Sequence, residues 1–523
     1  MNDKMTKKSI VQKTLQFGSL TLISRLLGMI RDLLQIRLLG FGAISDAFLV
    51  ALRIPNTLRK VFAEGALSSA FVPSFVKIVK QDGKEDASRL ISISMLFFQA
   101  ILLLFTIFVV TCPRLIIGLL ASGFSEEQIS YAVPFVRVLF PFILFISASA
   151  LLSAALQASN HFFMIAFAPI ILNITFLLSI ALCFLFKLPV IVYCIGIVIG
   201  GILQFLCYLL VYFRFDFSFQ KYDANSMVNF KKAISKFGNC LFATSVIEIS
   251  IWIDTGFASY FEKGSISIIT YGYSFMRIPL GIFAIGFATV LLSHLTRTIL
   301  YAPSRLSFYL LEATKFNFWI SLPSSLFLIF VSEKIFSTLM LAGSATNAQI
   351  LKASWILTIF ACAIIFLSWN KVLTNVFYAF HDTWTPTLIG IISTILSFCF
   401  NMLSYFYFGK FAIYGIAFST VLSGITTSIL SFLYLHRKHN ASLHIGRLGS
   451  FASKCLFQLS VGFSLFYIFY LAIFYFISKT SFYSFFYYRI GYWVIVSPLC
   501  GATLLFLFFT RKQFGLKIYF LDR

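Results

Sequence analysis

Apolar runs long enough to cross a bilayer follow one another along this chain with only short polar breaks, and no other feature limits its fold so tightly. A spanning helix needs about 20 apolar residues, and about fourteen such windows can be placed, from 14–38 near the start to 490–510 near the end. In lipid, backbone N–H and C=O groups must pair within their own segment or in a closed barrel. Runs this long without alternation therefore predict helices. Composition agrees, since 59% of residues are hydrophobic and 11% charged, where a soluble domain carries about 25% charge. The expected fold is an all-α polytopic membrane protein with about fourteen transmembrane helices.

A formal net charge of +23 raises the question of a nucleic-acid partner, and the placement of the cations answers it. With the N-terminus in the cytoplasm, most fall in the tails and even-numbered loops, among them Lys7, Lys8, Lys77, Lys80, Lys84, Arg89, Lys231, Lys232, Arg437 and Lys438. This is the positive-inside asymmetry. The charge reports topology, with both termini cytoplasmic, and implies no nucleic acid. Lys4, Lys7, Lys8 and Lys13 precede an apolar stretch as in a signal peptide, but that stretch holds Arg25, Arg31 and Asp32 and lacks a small-residue cleavage site. It reads as an uncleaved first helix. The cysteines stand singly, without paired or metal-ligand spacing, which predicts neither disulfides nor a zinc site.

Connections are short, the longest being 214–236 and 436–454, so no soluble domain is available for separate chemistry. Arg53-Ile54-Pro55 recurs as Arg277-Ile278-Pro279, each followed by Phe-Ala (Phe62-Ala63 and Phe287-Ala288), and the stretch 156–163 is echoed by 377–384. Six spans separate the members of each pair, so the copies share one orientation. A parallel six-helix repeat predicts two lobes related by an axis along the membrane normal, a common transporter design. The expected organisation is an N-lobe of helices 1–6 over 1–213, a cytoplasmic linker at 214–236, a C-lobe of helices 7–12 over 237–435, and two further helices with a cytoplasmic tail over 436–523.

Within the spans the cations Arg25, Arg31, Arg37, Arg53, Arg59, Lys60, Arg137, Arg277 and Lys371 outnumber the acids Asp32, Asp46, Glu64, Glu248 and Asp254. A charge at the bilayer centre costs at least about 2.5–3.5 kcal/mol on insertion scales, so such groups face a partner or a hydrated cavity. Asp46, Arg53, Thr57, Lys60 and Glu64 fall on one stripe of helix 2, which Pro55 and Asn56 interrupt, while Arg25, Gly28 and Asp32 stack on helix 1. For Arg53, Lys60 and Arg37, pairing with neighbouring acids as structural glue explains the pattern as well as function does. For Arg25, Arg31 and Arg59 the acids are too few, and an uncompensated cationic site seeks an anion. Arginine in place of lysine favours a phosphate, whose oxygens match the guanidinium fork. The candidate substrate-binding set is therefore Arg25, Arg31, Arg59, Asp32, Asp46, Arg53, Asn56 and Glu64, with Arg277 in the second lobe. Asp254 and Asn401 are candidates for a sodium site, or else members of a packing cluster; a proton is the other candidate coupling ion.

Several stretches together resemble the MurJ/MviN family: Ser24-Arg25-Leu26-Leu27-Gly28-Met29-Ile30-Arg31-Asp32, Asp46-Ala47-Phe48, the run from Pro55 to Ala66, and Ala70-Phe71-Val72-Pro73. Ala168-Pro169 with Asn173, and Asp382-Thr383 with Thr385-Pro386, extend the similarity over nearly the whole chain. The resemblance implies a fourteen-helix flippase whose substrate is lipid II, an undecaprenyl-diphosphate carrying a disaccharide-pentapeptide, moved to the periplasmic leaflet of the bacterial inner membrane by alternating access. It implies that Arg25, Arg31, Arg59 and Asp46 are functional, that the last two helices hold the polyprenyl tail in a groove, and that other cell-wall synthesis proteins are partners alongside membrane lipids. A sibling flippase for another polyprenyl-linked glycan, or a multidrug exporter, is the alternative, although a cationic first lobe suits cationic drugs poorly. An enzyme is not expected, because acidic metal-binding clusters and large external loops are lacking in the sequence.

One departure stands out. Where the family often carries Tyr-Ala-Asp-Arg early in helix 8, this chain reads Tyr271-Gly272-Tyr273-Ser274, without the arginine. Arg277 lies one turn further along the same helical face and is expected to supply the missing contact to the diphosphate.

The loop charges make a prediction about sidedness. Cysteines introduced into 214–236 and 436–454 should resist a membrane-impermeant maleimide in intact cells and react once the membrane is opened; reaction in intact cells would invert the topology.

Overall fold

The computed structural model describes residues 7–60, 66–159, 161, 163–340, 345–439, 444–489 and 491–522. Among the described residues the regular elements are helical and no β-strand occurs. The chain divides into two compact units, Met1–Ser267 and Ile268–Arg523, so that the seventh expected span belongs with the first six.

The first unit comprises α1 (Lys7–Leu39), α2 (Ala43–Arg59), α3 (Ala66–Gln81), α4 (Lys84–Thr111), α5 (Pro113–Leu120), α6 (Glu126–Leu139), α7 (Phe142–Ala158), α8 (Phe163–Phe186), α9 (Val190–Arg214) and α10 (Ala224–Ala258), and ends in the first turn of α11 (Ser265–Pro279). After Pro279 a π-helical stretch (Leu280–Ile285) leads into α12 (Gly286–Tyr301). The second unit continues with α13 (Leu306–Leu339), α14 (Asn347–Ala379), α15 (Trp384–Tyr407), α16 (Ala412–His439), α17 (Ile445–Ser478), α18 (Tyr483–Tyr488) and α19 (Gly491–Thr510).

Eleven helical segments of the described chain are long and apolar enough to cross a membrane, against the roughly fourteen expected from window length. α1, α2, α3 and α10 are not among the eleven, and residues 61–65, between α2 and α3, lie outside the described residues. Of these helices, α1, α2 and α10 carry Arg25, Arg31, Asp32, Asp46, Arg53, Arg59, Glu248 and Asp254. Elsewhere the spans present broad apolar faces outward. Leu104 of α4 and Phe476 of α17 are 69% and 68% exposed, as side chains that meet lipid should be.

The two sequence echoes close with the same backbone turn. His161 N–H donates to Leu156 O at 2.9 Å, and Asp382 N–H donates to Phe377 O at 2.9 Å, each a six-to-one bond that ends a helix. The second turn places His381 at a φ of 59°, in the left-handed region. Asp382 then accepts from Thr385 N–H at 3.0 Å and from Lys438 Nζ at 2.7 Å. Its partial burial opposes ionisation, but Lys438 and Thr385 outweigh that and hold the carboxyl at about 2.

Small residues let α8 and α9 approach closely. A Cβ built on Gly196 would lie 1.7 Å from Ser179 Oγ and 2.4 Å from Ser179 Cβ, and one on Gly200 would meet Thr175 Oγ1 at 2.3 Å. A larger side chain there must push the helices apart. Gly196→Val should therefore lower the thermal unfolding midpoint in detergent, at a cost of about 1–3 kcal/mol. Gly118→Ala, where an added Cβ meets nothing within 4 Å, should leave it unchanged.

Candidate substrate-binding site

The first unit gathers its polar residues at three places, each where a charge-bearing helix meets a neighbour. On α1, Arg31 Nε and Nη2 donate to Asp32 Oδ1 at 3.0 and 2.7 Å, and Nη1 donates to Asn173 Oδ1 of α8 at 3.0 Å. The Asn173 amide in turn donates to Ser24 O at 3.0 Å, which fixes its orientation. The Arg31 guanidinium also lies 5.4 Å from the Phe176 ring centroid, a cation–π distance. The side chains of Arg31 and Asp32 are 25% and 49% exposed, so this ion pair is reachable from outside. The Arg25 side chain is exposed and makes no hydrogen bond or ion pair among the described residues.

On α2 the polar stripe meets α10. Glu248 accepts from Lys60 Nζ at 2.8 Å through one oxygen and from Thr57 Oγ1 at 3.1 Å through the other, and Trp252 Nε1 donates to Thr57 Oγ1 at 3.0 Å. Arg53 Nη1 donates to Ile251 O at 3.3 Å. Glu248 and Thr57 are buried, so a carboxylate that would be costly alone is compensated on both oxygens. Lys60 therefore has the acid partner that the glue explanation requires. Arg59 closes α2 and Asn56 lies within its last turn, both half-buried.

At the opposite end of α2, Asp46 is 1% exposed and its partners are polar but uncharged. Its carboxylate accepts from Gly264 N–H at 2.7 Å, Ser267 N–H at 2.8 Å and Gln128 Nε2 at 3.4 Å. An aspartate receiving the free N–H groups at the start of α11 is a helix cap supplied by another helix, favoured by the positive end of the helix dipole.

The sequence-predicted set is thus distributed over these places. Arg31 and Asp32 are brought together, with Asn173 added. Arg53 joins the α2–α10 contact, Asp46 stands at the start of α11, and Glu64, like Phe62 and Ala63, lies outside the described residues. Asp254 is in the first unit and Asn401 in the second. Glu248 was legible only as an acid in an apolar span, and Asn173 only through the family resemblance around Ala168-Pro169. Nothing in one sequence pairs residues this distant, although an amide in α8 close after Pro169 was a usable sign.

In the second unit Arg277, in the last turn of α11, is exposed, its guanidinium 5.8 Å from the Tyr273 ring centroid. Lys371 of α14, also exposed, lies within electrostatic range of it. Ser274, at the position of the absent arginine, spends its hydroxyl on Thr270 O at 2.9 Å.

These contacts separate structural from available charge, which double variants can test. Glu248→Ala strands Lys60 and should destabilise the protein by up to about 3 kcal/mol in thermal unfolding, while Glu248→Leu combined with Lys60→Leu should recover most of it. Asp32→Ala, opening a half-exposed pair, should cost less than about 1 kcal/mol.

Comparison with known proteins places these residues in a wider set. The family model described as "Lipid II flippase MurJ" matches residues 36–494. A protein of Buchnera aphidicola named "Probable lipid II flippase MurJ" is 29% identical over 434 residues, covering 82% of this chain and 84% of the relative. The "Lipid II flippase MurJ" of Burkholderia cenocepacia is 28% identical over 438 residues, 82% of this chain and 84% of that protein. Among solved structures, one titled "Lipid II flippase MurJ, inward closed conformation" superposes with a TM-score of 0.77 at 26% identity, covering 95% of this chain and 99% of the other. An inward-facing multidrug resistance transporter of the MATE family reaches a TM-score of 0.68 at 14% identity over 79% of this chain and 94% of its own, a likeness of fold alone.

Proposed function

The chain belongs to the lipid II flippase MurJ family, and on that premise we propose that it carries lipid II from the cytoplasmic to the periplasmic leaflet of the bacterial inner membrane by alternating access. The observation that carries the reading is the state of Arg31. Asn173 aims its guanidinium while leaving the rest of the fork on Asp32, an adjacent, half-exposed carboxylate. A diphosphate oxygen can replace that carboxylate without a buried charge being left alone, and Arg25, exposed on the same helix, adds a second cation. Transport requires no bond to break. The protein need only bind its anion with different affinity in its inward- and outward-open states, while a separate driving force resets it. The apolar outer faces of α17 and α19 suit contact with a polyprenyl tail.

Asp46 acts in this reading through the chain it holds. By capping α11 it positions the helix that carries Arg277, a cation without an ion pair among the described residues. Arg277, one turn beyond Ser274 and with Lys371 in electrostatic range, takes the role of the absent family arginine. The N-terminus and C-terminus both lie in the cytoplasm on this reading, as the loop charges require.

Purified protein in vesicles with fluorescent lipid II tests the proposal. Arg25→Ala, Arg31→Ala and Arg59→Ala should each slow flipping roughly tenfold to a hundredfold, the weight of a lost charged hydrogen bond, at near-normal abundance in the membrane. Arg277→Ala should do the same, and adding Ser274→Arg should restore measurable flipping. Disappearance of all three first-unit variants from the membrane would assign those arginines to folding. Normal transport by Arg277→Ala would remove it from the site. The same vesicles run in sodium or in potassium decide the coupling role of Asp254, since equal rates would dispose of a sodium site.

A further inference from the structure

Away from the residues of the proposed transport site, the second unit contains a cavity of about 450 Å³ where α12 turns into α13. Ser293, His294, Arg297, Thr298, Arg305 and Tyr309 supply its polar lining. The Arg297 and Arg305 side chains are exposed and make no hydrogen bond or ion pair among the described residues. Among the described residues no acidic side chain lines the cavity. The nearest acid along α13, Glu312, is already engaged by Lys315 Nζ at 2.6 Å and by Tyr519 N–H at 3.0 Å. His294 is held in place, with Nδ1 3.3 Å from Thr298 Oγ1 and its ring 4.5 Å from that of Tyr309. The back of the cavity is therefore built, and its two guanidinium groups are left to the front.

The rim decides the class of ligand. Val290 and Tyr301, which also line the cavity, are 70% and 84% exposed, and Leu300 beside them is 69% exposed. Free arginines would serve any phosphate, but exposed apolar side chains on the same helix suit a phosphate that arrives with an acyl chain. The loop-charge topology puts this turn on the cytoplasmic side, where acidic lipids concentrate and where basic pockets between transmembrane helices take phospholipid headgroups.

We propose that this cavity binds the headgroup of an acidic phospholipid of the cytoplasmic leaflet, with Arg297 and Arg305 holding the phosphate and Tyr301, Leu300 and Val290 flanking the acyl chain. The occupant is a resident lipid, distinct from the transported one. Its sidedness rests on the topology reading, but its chemistry does not depend on the flippase reading.

A photoactivatable phosphatidylglycerol, incorporated with the full-length protein into phosphatidylcholine nanodiscs and followed by peptide mapping, tests this without measuring transport. Labelling should fall within 290–309, be absent with the matching phosphatidylcholine probe, and drop roughly thirtyfold in Arg297→Ala/Arg305→Ala. The Arg297→Lys/Arg305→Lys variant, which keeps both charges, should retain most of it and show that the alanine result is not misfolding. Equal labelling of the alanine variant and the wild type would overturn the site. Equal labelling by the phosphatidylcholine probe would overturn the headgroup preference. Loss of labelling on adding millimolar glycerol 3-phosphate would overturn the lipid as occupant, because the cavity would then be taking a free phosphate.

Discussion

A guanidinium placed within a bilayer-spanning helix must be given an anion or kept wet, and the first unit is organised around that demand. Arg31 shows the compromise. Its pair with Asp32 keeps it compensated, yet the acid is the next residue in sequence and half in the open, so it can yield to a better anion. Asn173 does not neutralise the charge; it holds the fork in orientation and leaves the electrostatics to whatever arrives. By contrast, Glu248 satisfies Thr57 and Lys60 from a buried position, and replacing it with an incoming ligand would strand a carboxylate. Two arrangements of similar residues on adjacent elements thus differ in whether the charge is available.

Asp46 adds a different use of a buried acid. It meets no cation directly among the described residues; instead it accepts N–H groups that a helix leaves unpaired at its start, here that of α11. A buried carboxylate can thus be compensated by backbone N–H groups alone.

The helical membrane class and the family were legible in the sequence because each depends on local information: span length, and motifs such as Asp46-Ala47-Phe48. The echo at 156–163 and 377–384 proved to be a turn with the same hydrogen bond in both copies, since a helix end is encoded within about six residues. Partnerships were a different matter. The stripe on α2 was visible, but its division into the Lys60–Glu248 contact, the Arg53–Ile251 contact and the Asp46 cap depends on α10 and on the start of α11, far along the chain. Helical periodicity says which residues share a face and is silent on which neighbour that face meets.

The charged residues carried by α1, α2 and α10 have a consequence for how the protein is made. A segment loaded with arginine and acid partitions poorly into lipid when it emerges alone from the ribosome. Its stability in the bilayer comes from partners such as Asn173 for Arg31 and Glu248 for Lys60, which are synthesised later. The early, charged helices α1 and α2 therefore complete these contacts only once α8 and α10 have been made, so the intramembrane charges tie the order of synthesis to the order of assembly.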